Sequence, residues 1–68
     1  MNVFGNVVKH FLVDNNLQQG DIAQKANITN ANVSQLLNRS NISLDKMILI
    51  SEALDCELKI ELVPKNQK

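Results

Sequence analysis

Only Asn27-Ile28-Thr29 separates two short stretches that each carry apolar residues at helical spacing, and no other feature restricts the fold as much. In LQQGDIAQKAN the stripe is Ile22, Ala23 and Ala26, and in NANVSQLLN it is Val33, Leu36 and Leu37. The spacing predicts helices over about 19–26 and 30–38. Asp21 favours the positive end of the first, Asn27 supplies a turning residue, and Thr29 is a good N-cap for the second. Gly20 costs the first of these helices about 1 kcal/mol relative to Ala.

The flanking sequence predicts two more helices. Phe4, Val7, Val8, Phe11 and Leu12 mark one over about 3–15, with Lys9, His10 and Asp14 on its other side. Ser43 caps another over about 43–54, whose broad apolar face of Leu44, Met47, Ile48, Ile50, Ala53 and Leu54 suits a helix at the domain's centre. The period then changes: Leu58, Ile60 and Leu62 alternate with Glu57, Lys59 and Glu61, which predicts a half-buried strand over about 57–63, ended by Pro64.

A lone strand leaves backbone donors and acceptors unpaired, and no second segment of these 68 residues can supply a ladder. The expectation is therefore a mainly α fold of four helices whose C-terminal β-strand pairs with its own copy in a homodimer. The interface of this intermolecular two-stranded ribbon is formed by Leu58, Ile60 and Leu62. A domain this small is marginal alone, and the added burial would support it. A frayed tail, or a strand added to another protein's sheet, is the alternative. The chain divides into a domain over 1–64 and a tail over 65–68 that is expected to be disordered.

One cysteine, Cys56, allows no internal disulfide, and with His10 the only histidine there is no Cys/His set for zinc, so no metal or cofactor is expected. No apolar run reaches the length of a membrane span, and MNVFGNVVKHF lacks the parts of a signal peptide, so no membrane partner and a cytoplasmic location are expected. Catalysis needs convergent groups in a pocket; His10 reads as a surface residue and Cys56 as a small buried one, so the chain is not expected to be an enzyme.

The seven basic and seven acidic residues cancel, but the interval from Ile22 to Leu44 holds Lys25 and Arg39 and no carboxylate. Of fifteen Asn and Gln residues, eleven lie between Asn15 and Asn41. Asn is a poor helix former, so its abundance on the polar side of the 30–38 helix calls for another reason. Two short helices joined by about three residues, the second apolar behind and amide-rich in front, match a helix-turn-helix whose second helix enters the DNA major groove. An Asn or Gln amide pairs with N6 and N7 of adenine in bidentate fashion, so Asn30, Asn32 and Gln35 become candidate base readers, with Ser34 a fourth. A solvated polar face is the plainer alternative.

LQQGDIAQKANITNANVSQLLNR, followed by ISLDKMILISEALD, resembles the Xre family of phage-repressor and Cro-like proteins over Leu17 to Asp55. The resemblance implies that Gln19 binds a phosphate, that Asn30, Ala31, Asn32, Ser34 and Gln35 occupy base-reading positions, and that Asn38 and Arg39 meet the DNA backbone. Ala31 would then touch a thymine methyl, although helix propensity explains it as well. Asn27 stands where relatives have a turn glycine, and Leu12 and Leu37 stand where many pair an Arg with a Glu. The strand in place of a fifth helix is similar to short Hip-type antitoxins, which implies a possible cognate toxin as partner. Lys9 and Lys25, together with helix-start amides near Gln19 and Thr29, are further candidate phosphate contacts.

The function expected from these observations is a dimeric, sequence-specific regulator of double-stranded DNA, a repressor or antitoxin reading a palindromic operator. The alternative is a protein-binding inhibitor or interaction module that uses the same fold as a scaffold.

Overall fold

A computed structural model describes residues 2–65. Four α-helices follow one another: α1 (Val3–Asp14), α2 (Gln19–Ala26), α3 (Asn30–Asn38) and α4 (Leu44–Ala53). Each begins where a side-chain or backbone oxygen takes up an otherwise unpaired amide. Asn2 Oδ1 accepts from the Gly5 amide, Thr29 Oγ1 from that of Asn32 at 3.0 Å, and Ser43 Oγ from that of Lys46 at 3.3 Å. In α2 an Asp21 carboxylate oxygen accepts from the Gln18 amide at 2.8 Å.

Three of the four helices are followed by a left-handed residue, none of which is glycine, while α3 closes on Arg39 in an extended conformation. Asn16 (φ 58°), Asn27 (φ 60°) and Asp55 (φ 62°) follow α1, α2 and α4, and neither glycine has positive φ. Asn and Asp enter this region more readily than other residues with a Cβ, because their short polar groups can bond locally. Asn27 thus makes the turn between α2 and α3 that its position predicts.

The core comprises Val8 and Leu12 of α1, Ile22 and Ala23 of α2, Val33, Leu36 and Leu37 of α3, and Ile50 of α4. Phe4, Ile28, Ile42, Ala53 and Leu54 pack around it. Leu12 of α1 and Leu37 of α3 both sit in this cluster, so the pair expected to be apolar is part of the core. α2 packs on both α3 and α4, and α3 on α1, so α2 and α3 hold the middle of the molecule. This corrects the expectation that α4 is central. Of its residues only Ile50 and Ser51 are buried, and Leu44 and Ile48 are exposed.

α1 and α3 meet backbone to backbone. A Cβ on Gly5 would collide with the Leu37 carbonyl oxygen, so only glycine permits this approach. Gly20, by contrast, has open space around it.

The strand expected over about 57–63 is absent from the single chain: residues 56–65 carry no regular structure. The physical reason is the one its sequence pattern implies, since among the described residues no second segment lies alongside to complete a ladder. The tail expected over 65–68 lies, beyond an exposed Lys65, outside the described residues. Between α1, α4 and this extended segment runs an apolar groove of about 550 Å³, lined by Val3, Phe4, Val7 and Phe11 on one side and by Met47, Leu54, Leu58 and Ile60 on the others. Val7, assigned inward by its spacing, is therefore 59% exposed, facing the groove and not the core.

Candidate nucleic-acid interface

α3 buries Val33, Leu36 and Leu37 completely or nearly so, which fixes what its other face presents. At 3.6 residues per turn, Ala31, Gln35 and Asn38 lie opposite the buried stripe, with Asn32 to one side and Asn30 and Ser34 to the other. Asn30, Ala31, Asn32 and Gln35 are exposed and Ser34 is half-buried. No hydrogen bond among the described residues uses the side chain of Asn30, Asn32 or Gln35, so their donors and acceptors are free for an external partner. Asn32 contributes only its backbone amide, to the Thr29 cap.

Asn38 differs from these three. Its Nδ2 donates to the Ser34 carbonyl at 2.8 Å, and its Oδ1 accepts from Lys9 Nζ at 3.3 Å. Both ends of the amide are engaged within the chain, and through them a cation of α1 is held at the negative end of α3. Arg39, the residue that closes α3, is exposed beside them. Lys9 thus joins Asn38 and its neighbour Arg39 in one group, although it lies 29 positions before Asn38.

The remaining phosphate candidates are dispersed. Gln19 is half-buried at the start of α2. The Thr29 hydroxyl oxygen is occupied by its cap. Lys25, in the last turn of α2, borders a shallow hollow with Leu49 and Glu52 of α4, away from the Lys9–Asn38–Arg39 group.

One residue at this end of α3 carries no sequence prediction. The Asn2 side chain, besides capping α1, donates from Nδ2 to the carbonyls of Leu36 at 3.0 Å and Arg39 at 2.9 Å. An Asn immediately before an apolar helical pattern is a legible cap signal. Its reach to residues 34 and 37 positions away is not.

Elsewhere the chemistry is sparse. His10 is exposed, and Cys56 is half-buried with Sγ 3.4 Å from the Leu54 carbonyl. Among the described residues no group of His, Cys, Asp or Glu is placed to hold a metal ion, and no helix is long and apolar enough to cross a membrane.

A short helix, a left-handed turn and a second helix whose rear is core and whose front is uncommitted amide define a helix-turn-helix domain. The chain belongs to a family of that description: the pattern of a helix-turn-helix domain matches residues 4–62, from the start of α1 through most of the extended C-terminal segment. Neither a curated protein nor a solved structure matches the chain. Membership points to duplex DNA as the partner and to regulation as the role.

Proposed function

We propose that the protein is a sequence-specific regulator of the Xre type that reads duplex DNA with α3 as a homodimer. The observation that carries this reading is the set of exposed, unbonded amides on Asn30, Asn32 and Gln35, on a helix whose opposite face is fully committed to the core. Such amides match adenine's N6 and N7 in the major groove, and Ala31 lies on the same face to meet a thymine methyl. Lys9 and Arg39, near the exit of α3, are the proposed phosphate-binding cations, joined by Lys25, by Gln19 and by the backbone amide at Thr29, while Asn38, bonded at both ends within the chain, holds Lys9 in place.

Pairing of two chains through residues 57–63 is supported by the exposure of Ile60 (64%), Leu62 (98%) and Val63 (76%) beside an open apolar groove. A two-fold dimer presents two reading helices, which suits a palindromic operator with half-sites about 34 Å apart. The alternating C-terminal segment favours a repressor or antitoxin that acts on its own promoter, with a toxin as a further partner.

Selection of bound duplexes from a random pool, followed by salt titration, tests the reading. The expected result is a preferred palindrome and a log-log salt slope of at most about −5, from six cations per dimer. Recovery of no preferred sequence, with no salt-sensitive binding to random duplex, overturns it in favour of a protein-binding module.

A further inference from the structure

The seam between α1 and α3 is built from the N-cap of α1 and two residues of α1 on the same side, each engaging the last turn of α3 or its exit. Asn2 donates to the carbonyls of Leu36 and Arg39, Gly5 lies against the Leu37 carbonyl, and Lys9 donates to Asn38. These residues leave the buried apolar stripe of α3 untouched. Asn2 and Gly5 meet its backbone, at the end where its carbonyls lack partners within the helix, and Lys9 meets the Asn38 side chain.

Of the three, Asn2 is the one whose side chain bonds backbone groups at the ends of both helices. Its Oδ1 caps the positive end of α1 while its Nδ2 caps the negative end of α3. An apolar stripe alone leaves a nine-residue helix free to rock or rotate slightly on the core, because dispersion contacts have little directionality. Hydrogen bonds do have it, and two of them on Leu36 and Arg39 fix the angle of α3 and the path of the chain that carries Arg39.

We infer that Asn2 is a positioning residue for sequence reading: it touches no base, and it sets the pose in which Asn30, Asn32 and Gln35 reach base edges and Arg39 reaches the backbone. This rests on the proposal that α3 reads DNA. Base-edge hydrogen bonds demand closer geometry than contact with phosphates, so a loosened α3 loses discrimination before it loses non-specific affinity.

Two variants separate this role from simple stability. Asn2→Ser and Asn2→Asp both keep an oxygen for the Gly5 amide, and Ser and Asp are N-caps about as good as Asn; the Asp carboxylate has no donor, and Ser has a single hydroxyl hydrogen on a shorter side chain, so neither can make both bonds to Leu36 and Arg39. Ile50→Val, in the core and remote from the seam, is the control for lost stability. The affinities to compare are those for the duplex selected by the unaltered protein and for a random duplex at one salt concentration, alongside helicity by circular dichroism.

Both Asn2 variants should remain helical and bind the selected duplex about tenfold more weakly, with random-duplex affinity changed by less than about twofold, whereas Ile50→Val leaves the ratio alone. An unchanged ratio in the Asn2 variants, or an equal change in Ile50→Val, overturns the inference while DNA reading stands. Absence of any preferred duplex for the unaltered protein removes both.

Discussion

Gln35 and Asn38 lie one turn apart on α3, carry the same functional group, and do different work. Asn38 is bonded at both ends within the chain, to Ser34 and Lys9, whereas Gln35 and its neighbour Asn32 hold nothing. The abundance of amides between Asn15 and Asn41 resolves into separate causes in the same way. Asn15 bonds back to the Phe11 carbonyl at 2.9 Å, Asn16 and Asn27 take left-handed turns, and on α3 the side chains of Asn30, Asn32 and Gln35, like those of Gln24 and Asn41 outside it, stand exposed with no hydrogen bond among the described residues. Replacing Asn32 or Gln35 by Ala is expected to weaken binding to the selected duplex by about 1–3 kcal/mol each, with thermal stability unchanged because nothing internal is lost. Filter binding and thermal denaturation on the same samples check this. The outward amides were legible because the apolar stripe of Val33, Leu36 and Leu37 fixes which way α3 faces. The engagement of Asn38 and Asn2 was not legible, since each depends on a residue about thirty positions away being brought near by the fold.

At the level of the helices, caps and turns carry the information. Thr29, Ser43 and Asp21 act where residue type alone predicts. Asn27 bears the turn between α2 and α3 at φ 60°, so Asn27→Ala should lower stability by about 1 kcal/mol, and Asn27→Gly should not, as read from denaturant midpoints. Gly5 is the less obvious case. In a helix interior, Ala is normally the better residue by about 1 kcal/mol, yet here its methyl would meet the Leu37 carbonyl, so Gly5→Ala is expected to destabilise by about 2 kcal/mol and lower the melting temperature. Apolar periodicity showed that α1 and α4 are helices but overstated how much of them is core. Val7, Leu44 and Ile48 have the right spacing and remain exposed, because periodicity reports a helix's apolar width and not which part of it meets a neighbour within one chain. The segment over 57–63 shows the same limit. Its alternation describes a strand, but a strand exists only with something to pair with.

For the whole molecule, the proposed pairing can be specified to the residue. Directly opposed side chains in an antiparallel ribbon share a face, so apolar positions must oppose apolar ones. A two-fold axis at Lys59 would set Lys59 against its copy and Glu57 against Glu61, and an axis at Glu61 would oppose two glutamates. An axis at Leu58 pairs Glu57 with Lys59 but Asp55 with Glu61. With the axis at Ile60, Leu58 faces Leu62 of the second copy and Lys59 faces its Glu61, leaving Glu57 against Val63 as the one mismatch and no like charges opposed. Lys59→Glu should therefore separate the chains and Glu61→Lys, added to it, should rejoin them, as sedimentation equilibrium would record. A bare tail also has a metabolic consequence. Leu62 and Val63 are exposed in the single chain and would be covered only in the proposed dimer, and an exposed, unstructured segment is where proteases begin. Scarce molecules would then be degraded faster than plentiful ones, which makes the lifetime of the protein a function of its own dosage.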